Sequence, residues 1–79
     1  MKNVLVIGST GQIGSELTMK LRNLIPDGNI VAGYIPGAEP KGILLESGPA
    51  EEANVKNAQQ LADIVEKYKI DTIYNLAAL

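Results

Sequence analysis

The sequence predicts an α/β fold in which helices cover both faces of a parallel sheet. Two observations carry this prediction. Short apolar stretches suited to buried strands alternate with longer stretches of helical periodicity. The first strand, the first helix and the second strand also fit into about 30 residues, the length of one crossover unit. We therefore expect a truncated, doubly wound sheet with the strand order 3-2-1-4.

The first crossover unit is the most regular part of the pattern. Residues 3–7 form the first strand, and the continuous apolar run at residues 4–7 is typical of a parallel strand covered on both faces. A helix is predicted over residues 12–25, and its apolar positions form one buried face: Ile13, Leu17, Leu21, Leu24 and Ile25. The Pro-Asp-Gly sequence at residues 26–28 ends this helix, and residues 29–34 form the second strand.

Turn-forming residues dominate residues 35–49, which we predict to be a loop. The short apolar run at residues 43–45 is a candidate strand within that loop. A third strand is predicted over residues 50–55. Its glutamates, Glu51 and Glu52, would be costly at the centre of a sheet but are tolerated at an edge. The third strand is an edge in the order 3-2-1-4, so the two predictions agree.

The last part of the chain predicts one more helix and one more strand. The helix spans residues 58–68, with Asn57 as its N-cap and a buried face that contains Leu61, Ile64, Val65 and Tyr68. The strand spans residues 72–76. It lies at an edge of the predicted sheet, where free backbone groups and the apolar Ile73 and Leu76 favour pairing with another chain. We therefore expect self-association.

The composition narrows the classes of function. The chain is 46% hydrophobic, which is too high for a disordered segment, and its net charge of −2 gives no electrostatic reason to expect a nucleic-acid partner. It contains no cysteine and no histidine, which excludes a disulfide framework and the usual zinc sites. The early apolar run at residues 4–7 is too short for a signal peptide or a membrane span. We therefore expect a cytoplasmic protein with no membrane partner.

Three glycines follow the first strand with the spacing G-x-x-G-x-x-G: Gly8, Gly11 and Gly14. Such glycines allow a sharp turn, a close approach of the backbone to a pyrophosphate, and packing of the helix against the sheet, in that order. Unpaired N–H groups and the dipole at a helix start favour an anion. The pattern predicts a dinucleotide site, the alternative being a turn that binds nothing. Ser9 and Thr10 are either hydroxyl donors to the phosphates or ordinary turn residues.

Tyr34 ends the second predicted strand, 20 residues after Gly14. An acidic residue at about this distance normally bonds the adenosine ribose of NAD, and a nearby arginine accommodates the 2′-phosphate of NADP. Neither is present, and the nearest charged residues downstream are Glu39 and Lys41. Tyr34 either contacts the adenosine or is an ordinary half-buried aromatic residue. These residues leave NAD and NADP open.

The glycine loop and the segment Asn75-Leu76-Ala77-Ala78 resemble the extended short-chain dehydrogenase/reductase family, which has a Rossmann-like fold and includes nucleotide-sugar epimerases and dehydratases. Three segments resemble one branch of it, the short-chain L-threonine 3-dehydrogenases: residues 11–17, 47–49 and 71–79. The resemblance covers nearly the whole chain but only the amino-terminal part of such an enzyme. It therefore implies that residues 1–79 are the amino-terminal part of a dinucleotide-binding domain. The resemblance also implies NAD as the cofactor, with NADP not excluded.

The resemblance implies cofactor contacts from three segments. The backbone of residues 11–13 would hold the pyrophosphate, and residues 76–78 would lie along the cofactor toward the nicotinamide ribose. Asn54, with Val55 beside it, stands where the family usually has an aspartate that bonds the adenine amino group, and its amide can both donate and accept. The candidate cofactor-binding residues are Gly8, Thr10, Gly11, Gln12, Ile13, Gly14, Tyr34, Asn54, Val55, Leu76, Ala77 and Ala78.

The catalytic residues of that family are absent from this sequence. The family uses Tyr-x-x-x-Lys, and none of the three tyrosines here has a lysine four residues later. The resemblance implies an oxidoreductase that transfers a hydride from threonine to NAD, with no turnover expected from these 79 residues alone. Two alternatives remain: a nucleotide-sugar epimerase or dehydratase, against which the Ser-Gly-Pro segment at residues 47–49 argues, and a non-catalytic regulator that binds a dinucleotide.

Overall fold

Four parallel strands and three helices make up the part of the chain that the computed structural model describes, residues 1–77. The elements are β1 (Asn3–Ile7), α1 (Gln12–Leu24), β2 (Asn29–Tyr34), α2 (Ile43–Glu46), β3 (Ala50–Glu52), α3 (Ala58–Tyr68) and β4 (Thr72–Asn75). The strands form one sheet in the order β3-β2-β1-β4, with every neighbouring pair parallel. The predicted α/β class and strand order are confirmed. Among residues 1–77, no helix has the length and apolar character needed to cross a membrane.

β1 lies inside the sheet and is covered on both faces, which explains its continuous apolar sequence. Successive side chains of a strand point to opposite faces. Leu5 belongs to a buried cluster with Ile64 of α3, whereas Val4 belongs to a second cluster with Leu21 of α1. The two helices thus pack on opposite faces of the sheet, as the sequence predicts.

The buried face of α1 differs from the predicted one. Its fully buried residues are Gly14, Thr18 and Leu21, whereas Ile13 is 72% exposed and Leu24 is 65% exposed. Three of the five predicted residues are at least partly buried: Leu17, Leu21 and Ile25. The buried face includes a glycine that packs on backbone and a threonine whose Oγ1 donates to the Gly14 carbonyl at 2.7 Å. Hydrophobic periodicity does not detect a glycine that is buried against backbone or a threonine whose hydroxyl is hydrogen-bonded within the helix.

The apolar run at residues 43–45 belongs to the short helix α2, so its assignment as a candidate strand is wrong. β3 already occupies the position beside β2 at this edge of the sheet. The Leu44 carbonyl accepts a hydrogen bond from the Arg22 guanidinium of α1, so this buried residue needs no strand partner for its carbonyl. Over three residues, helical and extended patterns cannot be separated by periodicity.

β3 ends at Glu52, three residues earlier than predicted, because the chain turns away from β2 at Asn54. The Ala53 N–H still donates to the Tyr34 carbonyl at 2.7 Å. The next N–H, that of Asn54, donates instead to Oε1 of Gln60 in α3 at 2.7 Å. A side chain distant in the sequence therefore sets the end of this strand.

The two glutamates of β3 lie at the edge of the sheet, as predicted, and both have partners. The Glu51 carboxylate accepts hydrogen bonds from the Tyr68 hydroxyl and from the Lys67 ammonium, the latter at 2.9 Å. These bonds, with the Tyr68 bond the larger cause, lower the pKa of Glu51. The Glu52 carboxylate accepts from Nε2 of Gln60 at 3.0 Å. Polar partners on α3 thus make a charged edge strand tolerable.

The remaining element bounds agree with the sequence to within one residue. α3 spans the predicted residues 58–68, and Oδ1 of its N-cap, Asn57, accepts from the Gln60 N–H at 3.0 Å. α1 and β4 each end one residue before their predicted ends. In the described sheet β4 is an edge strand, as expected.

Asp71 joins the start of β4 to the start of β1, and we expect its replacement by asparagine to change the acid stability of the chain. The carboxylate accepts from the N–H groups of Asn3 (2.9 Å) and Lys2 (3.0 Å) and from the Thr72 hydroxyl (2.7 Å). The Asn3 bond is the largest cause that lowers the pKa of Asp71 to about 2. In the unfolded chain an aspartate titrates near pH 3.9, a general reference value.

Because the folded pKa lies below the unfolded one, the ionised Asp71 stabilises the fold above about pH 4, and this contribution disappears as the pH falls toward 2. The asparagine variant should be less stable at pH 7 and should lose stability less steeply between about pH 5 and pH 2. Urea unfolding across this pH range measures both effects. An equally steep loss in the variant would contradict the role assigned to Asp71.

Candidate functional site

A cavity of about 490 Å³ lies at the carboxyl ends of the strands. This edge of an open parallel sheet is where ligands bind in doubly wound proteins. Eight of the twelve predicted cofactor-binding residues line the cavity: Gly8, Thr10, Gly11, Tyr34, Asn54, Val55, Leu76 and Ala77. The fold thus brings together residues from four separate segments of the chain.

The other four predicted residues do not line the cavity or cannot be placed. Gln12 and Ile13 lie in the first turn of α1 with exposed side chains, although the prediction concerns their backbone N–H groups. Gly14 is buried in the same turn. Ala78 lies outside the described residues.

Gly8 occupies a backbone conformation and a space that only glycine suits. Its φ is +81°, in the left-handed region, so it makes the sharp turn out of β1 that the sequence predicts. A Cβ atom here would also lie 2.8 Å from the Leu76 carbonyl carbon and 2.9 Å from the Ala77 nitrogen. Gly8 therefore also lets the segment after β4 approach the glycine turn.

Gly11 leaves space open at the start of α1. It is the N-cap of this helix, and a Cβ atom added to it would meet only the Gly8 carbonyl oxygen, at 3.6 Å. No side chain caps α1, and its first turn contains no acidic residue, whereas Asn57 caps α3. The open space and the uncapped N–H groups together form a cradle for an anion, and they would admit a phosphate.

Gly14 has a packing role that differs in one respect from the prediction. A Cβ atom at this position would overlap the Gly8 carbonyl oxygen and lie 2.9 Å from the Gly8 carbonyl carbon. At this residue the helix therefore packs closely on the backbone of the glycine turn, whereas Leu17 and Leu21 farther along the helix pack on the sheet. This contact holds the start of α1 beside the cavity.

The two hydroxyl residues of the glycine turn have different surroundings. Ser9 is fully buried, and its Oγ donates to the Gly33 carbonyl at 2.9 Å, which makes it a structural turn residue. Thr10 is partly buried and lines the cavity. Of the two hydroxyl residues, Thr10 is thus the one that borders the proposed site.

The cavity also contains residues that the sequence analysis missed: Ile7, Ile35, Ala38, Ala53 and Lys56. Ile35 directly follows Tyr34, and Lys56 lies two residues after Asn54. Closeness in sequence to predicted site residues is therefore the one signal that could have identified these two. The Lys56 N–H donates to Oδ1 of Asn54 at 2.9 Å. The Asn54 side chain is therefore held by a local turn and still has its amide N–H₂ group to offer.

Proteins that place such a glycine-rich turn between a strand inside a parallel sheet and the following helix are of the Rossmann-like class. The fold of this chain is of that class. More narrowly, residues 4–79 match the model of the NAD dependent epimerase/dehydratase family, and the chain belongs to that family.

Comparisons with individual proteins agree with this assignment. An uncharacterized epimerase/dehydratase of Staphylococcus saprophyticus is 38% identical over 79 residues, which is 100% of this chain and 24% of the relative. The structure of L-threonine dehydrogenase from Clostridium difficile is 41% identical with a TM-score of 0.85, covering 100% of this chain and 24% of that one.

A more distant structure supports the fold alone. dTDP-glucose 4,6-dehydratase from Bacillus anthracis, solved in complex with NAD, is 19% identical with a TM-score of 0.83, and the match covers 100% of this chain and 27% of that one. The chain spans about a quarter of the length of the curated relatives it matches.

Proposed function

We propose that this chain binds a nicotinamide dinucleotide in the cavity, with the pyrophosphate at the start of α1. The observation that carries the proposal is the cradle at Gly11, where a missing side chain leaves open space beside uncapped N–H groups. Phosphates bind at such helix starts because the N–H groups and the helix dipole both favour negative charge. Membership of an NAD-dependent family supports the same ligand.

Each wall of the cavity has a role in this proposal. The backbone of residues 11–13 holds the pyrophosphate. The Gly11 N–H donates to the Gly8 carbonyl, so the N–H groups of residues 12 and 13 are the donors, and the Thr10 hydroxyl adds another. Tyr34 and the turn at Asn54 and Val55 contact the adenosine, while Leu76 and Ala77 lie toward the nicotinamide. When bound, the nicotinamide supplies the group that accepts or donates a hydride. The residues of this chain bind and orient it.

We expect a Gly11→Ala variant to separate binding from stability. The added methyl meets no atom closer than 3.6 Å, so the free energy of unfolding should change by less than about 0.5 kcal/mol. The methyl fills the cradle, so the affinity for ADP-ribose should fall about tenfold or more, which corresponds to about 1.4 kcal/mol. Titration of the ¹⁵N-labelled chain with ADP-ribose, followed by amide chemical shifts, measures the dissociation constant.

The matched control for this titration is Gly42→Ala. It adds the same methyl where no atom lies within 4 Å, at a residue that does not line the cavity. Because the φ of Gly42 is +58°, alanine costs about 1–3 kcal/mol of stability there, so the titration is made under conditions in which this variant is folded. ADP-ribose should bind this variant as it binds the parent chain. Unchanged binding by Gly11→Ala, or amide shifts in the parent chain that avoid residues 8–14, would overturn the proposal.

We further propose that the dinucleotide serves an NAD(P)-dependent oxidoreductase that resembles L-threonine 3-dehydrogenase. The 41% identity with the Clostridium difficile enzyme favours this over a nucleotide-sugar epimerase or dehydratase, since the dehydratase match at 19% identity supports the fold alone. The sequence lacks Tyr-x-x-x-Lys, so this chain alone should not produce NADH from L-threonine and NAD. Such turnover would contradict the view that the catalytic residues lie outside it.

β4 is the surface through which we propose that the chain associates with a second copy. It is the edge strand of the described sheet, with Ile73 48% exposed and Leu76 40% exposed. Unpaired backbone groups beside exposed apolar side chains favour strand pairing between chains. Sedimentation should show a mass that rises with concentration, and Ile73→Lys should reduce this association. A parent chain that stays monomeric at every concentration would exclude it.

A further inference from the structure

We infer that the adenosine end of the cavity accepts a dinucleotide that carries a 2′-phosphate, and that Lys56 is the cation that binds this phosphate. The inference rests on the proposed function, because it assigns a ligand class to one end of the same cavity. It concerns two neighbouring strand ends, those of β2 and β3, and the charges found there.

Tyr34 and Lys56 belong to neighbouring strand ends and line the same cavity. β2 and β3 are neighbours, and Tyr34, the last residue of β2, is paired in register with Glu52, the last residue of β3. Lys56 lies four residues beyond Glu52 and lines the same cavity as Tyr34. The end of β2 is where doubly wound proteins contact the adenosine ribose, so Tyr34 borders the ribose position, and Lys56 shares the cavity with it.

Within the described residues, this cavity has one cationic lining residue and no carboxylate. The acidic residues nearest in sequence to Tyr34 and Lys56 have other hydrogen-bond partners. Glu39 accepts from the Gly37 N–H at 3.0 Å, a bond that lowers the pKa of Glu39, and Glu52 accepts from Gln60 at 3.0 Å. Neither carboxylate lines the cavity, so neither substitutes for the missing acid at residue 34.

Lys56 also has a defined place in the fold. Its N–H donates to Oδ1 of Asn54 at 2.9 Å, and the Asn54 N–H donates to Oε1 of Gln60 at 2.7 Å. The turn that carries Lys56 is therefore attached to α3. The ion pairs within residues 1–77 involve Lys2 and Lys67, which leaves the Lys56 ammonium available to a ligand.

The neutral Tyr34 and the cationic Lys56 determine whether the cavity favours a dinucleotide with a free 2′-hydroxyl or one with a 2′-phosphate. A carboxylate at residue 34 would accept hydrogen bonds from a free 2′-hydroxyl and would repel a 2′-phosphate, which carries nearly two negative charges. The neutral Tyr34 removes this repulsion, and Lys56 adds an attraction. The arrangement therefore favours the phosphorylated form.

The test uses two probes that lack nicotinamide, ADP-ribose and its 2′-phosphorylated form, titrated into the ¹⁵N-labelled chain. The phosphorylated probe should bind up to about fivefold more tightly, because one exposed charge pair contributes at most about 1 kcal/mol. Lys56→Gln should abolish this difference, because it should weaken binding of the phosphorylated probe more than binding of ADP-ribose. Lys41→Gln, the same charge change at a residue outside the cavity wall, should leave both constants unchanged.

A second variant tests the other half of the inference. Tyr34→Asp restores the carboxylate, so it should weaken binding of the phosphorylated probe about tenfold relative to ADP-ribose. If ADP-ribose binds the parent chain more tightly than its phosphorylated form, or if Lys56→Gln weakens both probes equally, the inference fails and the proposed function stands. If neither probe binds at millimolar concentration, the proposed function fails and the inference fails with it.

Discussion

Replacement of Gly14 by alanine is expected to lower the free energy of unfolding by about 3 kcal/mol or more, since overpacking against rigid atoms costs about 1–3 kcal/mol and occasionally more. The added Cβ would overlap the carbonyl oxygen of Gly8, a backbone atom that cannot move without shifting the turn after β1. Alanine favours a helix over glycine by only about 1 kcal/mol, so the steric cost dominates. Urea unfolding followed by circular dichroism measures the change.

Gly11→Ala is the matched control for this measurement, because the same substitution is made three residues earlier in the same loop–helix junction. Its Cβ has no neighbour closer than 3.6 Å, so its stability should stay within about 0.5 kcal/mol of the parent chain. The pair thus compares a glycine needed for packing with one that we propose is needed for ligand access. Equal stability of the two variants would contradict the close packing described for Gly14.

Replacement of Arg22 by methionine is expected to destabilise the chain by about 2–4 kcal/mol, the range for losing several charged hydrogen bonds and leaving buried acceptors without donors. From α1, the guanidinium donates to the Ile30 carbonyl of β2 (2.9 and 3.1 Å) and to the Pro49 carbonyl (2.8 Å). It also donates to the Leu44 carbonyl and the Ser47 hydroxyl of the intervening segment. One side chain thus connects α1, β2, α2 and the start of β3.

Two further variants make this prediction specific. Lys20→Met removes a charge from an exposed position on the same helix and should change stability by less than about 0.5 kcal/mol. Arg22→Lys keeps the charge but loses the planar donor fork, so it should restore only a minor part of the loss. If Arg22→Met unfolds at the same urea concentration as Lys20→Met, these hydrogen bonds contribute little.

The Arg22 contacts also give residues 47–49 a structural role. Residues 47–49, Ser-Gly-Pro, resemble the L-threonine 3-dehydrogenase branch, and each of them adjoins the guanidinium. Ser47 and Pro49 accept its hydrogen bonds, and a Cβ on Gly48 would lie 2.6 Å from its Nε. In this chain the segment is therefore an arginine-binding turn, and no local pattern in the sequence indicates it.

The features that the sequence predicts correctly are mostly those that neighbouring residues determine. The continuous apolar run of β1, the N-cap at Asn57 and the glycine turn each follow from residues only a few positions apart. The predicted site residues from separate segments come together at one cavity because parallel strands bring their carboxyl ends to the same edge of a sheet. The alternation of strands and helices in the sequence is sufficient to predict that these residues lie at one edge of the sheet.

The sequence by itself determined the fold class, the strand order and the position of the glycine turn, because periodicity, turn chemistry and the rules of parallel sheets are local or general. Only the tertiary structure decided that Ser9 is buried, that Arg22 donates to carbonyls from three segments, and that Lys56 lines the cavity. These features depend on which backbone carbonyls and side chains meet after the chain folds. Hydrogen bonds between distant residues leave no periodic trace in the sequence, so they become visible only in three dimensions.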